Sequence, residues 1–302
     1  MKKIIAILSI TLLISCGDTK EENGKLQVAT TTTMVTDLVK NIGGDLIEVN
    51  GLMGSGVDPH LYKASEGDVG KLTNADVIFY NGLHLEGKLV DIFEKMESQG
   101  KATYAVGESL DKTTLIGSDY FASSYDPHIW FDLDYWTQIT NYVTDKLVEK
   151  DPENAKAFQA NRDAYLKELA ALKSELTATI NQLPKEQRIL VTAHDAFNYF
   201  GRSFDFEVVG LQGLSTATEA GVQDVQRITK FIIDNKIKAV FVESSVPRRT
   251  VEALQAAVKA QDHTVEIGGE LFSDALGSSG TVEGTYIGMY QHNVNTIVNA
   301  LK

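Results

Sequence analysis

Two lysines, Lys2 and Lys3, precede an apolar run over residues 4–14 that is too short to cross a bilayer as a stable helix and reads as a secretory signal. Residues 17–24 (GDTKEENG) are polar and lack apolar periodicity, the pattern of a flexible tether. From residue 25 onward short apolar runs alternate with stretches of helical spacing. Strands are predicted at 26–30, 46–53 and 77–80, with helices at 35–42, 66–72 and 89–96. That alternation signals βα units around a parallel sheet.

A helical stretch follows at 135–150, and Asp151-Pro152-Glu153 then supplies an N-cap, a proline at the first helical position and an acid in the first turn. Beyond it Phe158, Tyr165, Leu169, Leu172, Leu176, Ile180 and Leu183 recur at spacings of three, four or seven, which keeps one face apolar until Pro184. Such a helix is ~45 Å long at 1.5 Å per residue, more than one small domain needs, so it is expected to run across two. A coiled-coil segment is the competing reading of the same spacing. After it the alternation resumes, with strands at 189–192, 206–211, 239–242 and 264–267 and helices at 196–202, 222–235, 249–259 and 284–301.

The expected fold class is therefore α/β: two lobes, each a mostly parallel sheet flanked by helices, joined by one long rigid backbone helix, with ligand space in the cleft where strand C-terminal ends face each other. The expected divisions are a signal at 1–15, a tether at 16–24, an N-terminal lobe at 25–150, the linking helix at 151–183 and a C-terminal lobe at 184–302.

Charge narrows the partners. The formal net charge is −13, and because the first fifteen residues hold two lysines and no acid, the remainder carries −15. That disfavours nucleic acid and anionic partners. Cys16 is the only cysteine, and Leu13-Ile14-Ser15-Cys16 resembles the bacterial lipobox, in which the cysteine is acylated. An exported protein, anchored to the cell membrane through lipidated Cys16 and facing the periplasm or the cell exterior, is the expectation.

Six histidines are present, and three stand in short motifs directly after predicted strands: Asp58-Pro59-His60, Asp126-Pro127-His128 and Ala193-His194-Asp195. Proline fixes its own φ and restrains the preceding residue, so each Asp-Pro-His imidazole leaves a stiff loop in a set direction, which suits a preorganised metal site. His60 and His128 lie before the long helix and His194 after it, and Asp274 in the run Gly268 to Gly277 is a fourth candidate, so two ligands per lobe would close around an ion. Three neutral imidazoles and one carboxylate suit Zn²⁺, while a bidentate carboxylate raises the coordination number toward what Mn²⁺ accepts. Asp195 and Glu243 are candidates for orienting imidazoles, and Trp130 and Phe131 for walling the metal from water. A zinc hydrolase would need an open coordination position and a general base, and there is no His-Glu-x-x-His, Gly-x-Ser-x-Gly or Gly-rich phosphate loop.

Taken together, Gly56-Val57-Asp58-Pro59-His60, Asp126-Pro127-His128-Ile129-Trp130, Thr192-Ala193-His194-Asp195-Ala196-Phe197 with Tyr199-Phe200, and Gly269-Glu270-Leu271-Phe272-Ser273-Asp274 resemble the zinc and manganese solute-binding lipoproteins of ABC importers, the TroA-like family. The resemblance spans nearly the whole chain. It implies that His60, His128, His194 and Asp274 ligate one divalent ion, Zn²⁺ or Mn²⁺. It further implies a monomer that is not an enzyme and that delivers the ion to a membrane permease driven by an ATPase on other chains. A receptor for a metal chelate or siderophore is the alternative binding reading, and lipoproteins of this type have also been described as adhesins. Relatives that serve zinc often carry a histidine-rich loop where residues 107–125 have no histidine, whereas some manganese-associated relatives have glutamate at the place of His194. The two signs oppose each other.

Overall fold

The computed structural model describes residues 24–118 and 121–302. The expected signal, Cys16 and the tether up to residue 23 lie outside the described residues. In the N-terminal half β1 (Leu26–Thr30), α1 (Thr33–Gly43), β2 (Ile47–Gly51), α2 (Glu66–Asn74), β3 (Val77–Tyr80), α3 (Val90–Ser98) and β4 (Ala102–Ala105) succeed one another. Their strands form one sheet in the order β2-β1-β3-β4. Every pairing is parallel. In the C-terminal half β5 (Ile189–Thr192), α6 (Asn198–Phe204), β6 (Glu207–Gly210), α7 (Val222–Asp234), β7 (Ala239–Glu243), α8 (Arg249–Lys259), β8 (Glu266–Leu271) and α9 (Tyr286–Leu301) follow. Their strands pair in parallel as β5-β6 and β7-β8, with β5 beside β7.

Between the halves run α4 (Leu133–Lys150) and the long α5 (Ala155–Ile180). The Asp151-Pro152 start is a 3₁₀ turn over Pro152–Asn154, in which the Asp151 carboxylate accepts from Asn154 N, and the α-helix begins only after it. α5 ends at Ile180, four residues short of Pro184, because proline bars the residue before it from helical geometry and the last turn loosens ahead of it. Phe158, Tyr165, Leu169, Leu172, Leu176 and Ile180 are all buried. They pack on α1 and α4 from one half and α9 from the other, which replaces the coiled-coil reading with a backbone shared by both lobes.

The lobes consequently share one continuous apolar core. At its centre Trp136 stacks on Tyr286 with ring centroids 4.8 Å apart. The Tyr286 hydroxyl donates to Trp130 O at 2.6 Å and the Tyr290 hydroxyl to Phe131 O at 2.5 Å. These buried bonds pin α9 to the N-terminal half along one side of the molecule.

Two strands depart from expectation. β4 is a four-residue edge strand (ATYA), half-buried throughout, whose weak alternation gave no apolar run. β8 starts later than predicted and carries a register irregularity against Val240 and Phe241. Its Gly268 and Gly269 allow α9 to come close, since a Cβ on Gly268 would stand 2.7 Å from the Ala300 Cβ and one on Gly269, at φ +145°, 2.5 Å from Thr296 Cγ2.

Asp37 on α1 accepts from Tyr286 N at 3.0 Å and so caps the start of α9. Burial raises its pKa to about 6 against the pull of that bond and of Lys40. The folded state therefore binds more protons than the unfolded chain between about pH 4 and 6, and stability falls as pH rises through that window. Asn keeps the acceptor without the charge, so the stability of the unaltered protein relative to Asp37→Asn should drop by about 2 kcal/mol from pH 4 to pH 7. Urea titrations at both pH values test this; parallel pH profiles for the two proteins would refute it.

Candidate metal centre

Each of the four candidate ligands sits on a loop beyond the C-terminal end of a strand. His60 lies in the loop between β2 and α2, His128 on the segment leading from β4 to α4, His194 two residues after β5 and Asp274 three residues after β8. The two Asp-Pro-His tripeptides are built alike. Asp58 Oδ1 accepts from His60 N at 2.8 Å and Asp126 Oδ1 from His128 N at 2.9 Å, so the aspartate clamps the turn that proline stiffens.

Two rings are held at a second point. His128 Nδ1 meets Asp126 Oδ1 at 2.7 Å, and His194 Nδ1 meets Glu243 Oε2 at 2.5 Å while Glu243 Oε1 accepts from His194 N. A carboxylate on Nδ1 fixes the tautomer that leaves Nε2 as the free acceptor. Glu243 thus has the orienting role expected of it, whereas among the described residues no hydrogen bond joins the Asp195 carboxylate to an imidazole. Trp130 stands edge-on to His128 at 5.3 Å and donates from Nε1 to Ser273 O beside Asp274. Phe131 packs away from the centre, on Phe197.

His60, His128, His194 and Asp274 are all buried, with ligand atoms within 4.8 Å of one another, the one such group among the described residues. The Nε2 atoms of His60, His128 and His194 lie 3.7, 3.6 and 3.3 Å from the nearer Asp274 oxygen. Donors on a tetrahedral ion with bonds near 2.1 Å stand about 3.4 Å apart, so the spacing matches one small ion. All three Nε2 atoms and both Asp274 oxygens are buried without a hydrogen-bond partner. Left uncompensated, such atoms cost about 1–3 kcal/mol each, and five together rival the whole stability of a domain. A cation shared by all of them removes that cost.

The family described as zinc-uptake complex component A, periplasmic, matches residues 28–300. The chain belongs to this family. Within reach of it in sequence are the manganese-binding lipoprotein MntA of Bacillus subtilis (strain 168), 45% identical over 301 residues that cover 98% of each chain. The zinc-binding protein TroA of Treponema pallidum (strain Nichols) is 47% identical over 279 residues, 92% of this chain and 90% of that one. The solved structure of the periplasmic zinc-binding protein TroA from Treponema pallidum superposes with a TM-score of 0.90, covering 92% of this chain and 99% of its own. Near-equal identity to one relative named for manganese and one named for zinc leaves the metal open, as did the opposed signs in the sequence.

Sequence reasoning missed the clamping role of Asp58 and Asp126, although an aspartate two residues before each histidine is the local signature of that turn. It also missed Asn198, whose Nδ2 donates to Asp126 Oδ2, Tyr199, whose hydroxyl donates to Asp126 O, and Asn81, which donates to Pro127 O. These pairings join distant segments and have no local signal. His84, His263 and His292 stay outside the cluster.

Electrostatics divide the family site unequally. Burial, with the neighbouring imidazoles, lowers the His60 pKa to about 3 although Asp274 pulls the other way. At His194 burial is outweighed, because Glu243 and Asp274 flank the ring and raise its pKa well above 6.5. Asp274, despite its burial, is held far below the usual carboxylate range, first by His194 and then by His128 and His60. In the metal-free centre a proton on His194 thus sits between two carboxylates, where an incoming cation must displace it. Because the folded pKa exceeds the unfolded one, this proton stabilises metal-free protein fully below about pH 6.5, and the contribution is lost as pH rises through the folded value. Long-range ¹H–¹⁵N spectra of metal-free protein at pH 7 should show His194 as imidazolium and His60 neutral. Two neutral rings would contradict this electrostatic picture.

Proposed function

We propose that the chain captures one divalent ion, zinc or manganese, through His60, His128, His194 and Asp274, and presents it to the membrane permease of an ABC importer whose ATPase resides on other chains. The observation that carries this reading is the convergence of five buried, unpartnered nitrogen and oxygen atoms on one point. Buried ligand atoms within 4.8 Å of one another suit a bare ion rather than a chelate or siderophore. Four protein ligands also leave no open position for the activated water of a zinc hydrolase, in line with a family of binding components rather than enzymes.

The protein works as an exported monomer, tethered to the membrane by acylated Cys16 through residues 17–24 after loss of residues 1–15. Its lobes comprise 25–150 and 184–302, with 151–183 as the linking segment. Among the described residues no helix is long and apolar enough to cross a membrane.

Native mass spectrometry of the chain beginning after Cys16, stripped and then offered zinc and manganese, should show one ion per molecule. Binding should raise the melting temperature by mass action, and His128→Ala should weaken affinity at least about a hundredfold while leaving the metal-free fold intact. Absence of a bound ion, or unchanged affinity in His128→Ala, would overturn the assignment. Manganese retained against zinc would identify a manganese importer, since the Irving–Williams order favours zinc in nitrogen-rich sites. For the anchor, Cys16→Ser expressed in a bacterial host should move the protein from the membrane to the soluble fraction; membrane retention would count against acylation.

A further inference from the structure

We propose that Thr216 is a positioning residue for the bound ion, acting through Asp58 on His60, and that it sets how fast the ion leaves. The inference rests on the assignment of His60 as a ligand. The three imidazoles are held unequally. His128 and His194 are each gripped at the backbone and at ring Nδ1 by a single carboxylate, Asp126 and Glu243. His60 receives only the backbone clamp from Asp58, and among the described residues no carboxylate bonds its Nδ1. Its side chain is also the one imidazole of the three with measurable exposure, 2% against 0% for the others. The direction of the His60 ring therefore depends on how firmly its loop is held.

That loop is secured from the opposite lobe. The Thr216 hydroxyl donates to Asp58 Oδ2 at 2.5 Å, while Asp58 Oδ1 accepts from His60 N. One carboxylate thus links a residue 158 positions away to the ligand. Among the described residues this is the only hydrogen bond from the 52–65 loop to the C-terminal half. Gly56, at φ +70°, turns the same loop against Ser244, leaving 3.4 Å between the place of a Cβ and Ser244 O. On the far side of the centre the halves are instead stitched by the buried bonds of Tyr286, Tyr290, Trp130 and Tyr199. On the proposed reading, release of the ion by His60 requires the Thr216–Asp58 bond to break, while the bonds on the far side stay in place.

The test is the rate at which zinc passes from the loaded protein to an excess of chromogenic chelator in stopped flow. Thr216→Val keeps the branched shape without the hydroxyl and should accelerate release about tenfold, whereas Thr216→Ser should stay near the unaltered rate. In an Asp58→Ala background Thr216→Val should add nothing, because the partner is already gone. A variant that merely loosened the loop would accelerate release in that background as well, and this result would overturn the proposal. So would an unchanged rate in Thr216→Val, or equal acceleration by valine and serine. Failure of the unaltered chain to bind zinc or manganese at all would sink the metal-binding reading itself, which is a separate outcome.

Discussion

A carboxylate buried among three imidazoles, with neither of its oxygens hydrogen-bonded, is the constraint on which the rest depends. Asp274 can remain ionised there only because cationic charge faces it, from His194 in the metal-free state and from the ion when loaded. Everything around the centre serves to keep those donors aimed at one point. Proline and aspartate stiffen two of the loops, Glu243 holds the third imidazole from the end of β7, and Trp130 closes the wall between His128 and Ser273. A rigid arrangement of this kind has its cost of organisation met during folding, so little of the ion's binding energy is spent on ordering ligands.

The fold supplies that rigidity asymmetrically. α5 packs on elements of both lobes, and the tyrosines of α9 donate to backbone carbonyls of the 128–132 segment, so the back of the cleft is part of a single core. At the front the loops 52–65 of one lobe and 211–221 of the other are joined by the Thr216–Asp58 hydrogen bond. A binding protein that must both hold an ion and surrender it is served by this division, with His128, His194 and Asp274 at the back of the proposed centre and His60 at its lip. His60 combines the weakest tether with the neutral form over the whole physiological range.

Much of this was legible in the sequence, for reasons that can be traced to particular residues. The repeated Asp-Pro-His tripeptide is local, and its physics is complete within three residues, so His60 and His128 stood out. The apolar face from Phe158 to Ile180 is periodic over many turns and survives any error at its ends. β4 was not legible, because Ala102, Thr103, Tyr104 and Ala105 are each half-buried and carry no run of apolar residues. The onset of β8 was misplaced because Gly268 and Gly269 read as a break when they are the means by which α9 approaches the strand. The bonds of Thr216, Asn198 and Tyr199 were invisible for a different reason: their partners lie 158, 72 and 73 residues away, and no periodicity encodes a single long-range hydrogen bond.

The geometry of Asp274 also bears on which ion the proposed centre would accept. Its Oδ1 faces His128 while its Oδ2 faces His60 and His194, so both oxygens already point into the centre. With one oxygen engaged the ion has three nitrogens and one oxygen, the tetrahedral environment that zinc favours. With both engaged it gains a fifth ligand, toward the higher coordination that manganese accepts, and no side chain has to change rotamer for this to happen. A fixed set of donors that offers one or both Asp274 oxygens gives geometry little hold on the choice between the two ions. Its preference at equilibrium then follows the intrinsic affinities of the ions and their supply, in the Irving–Williams order.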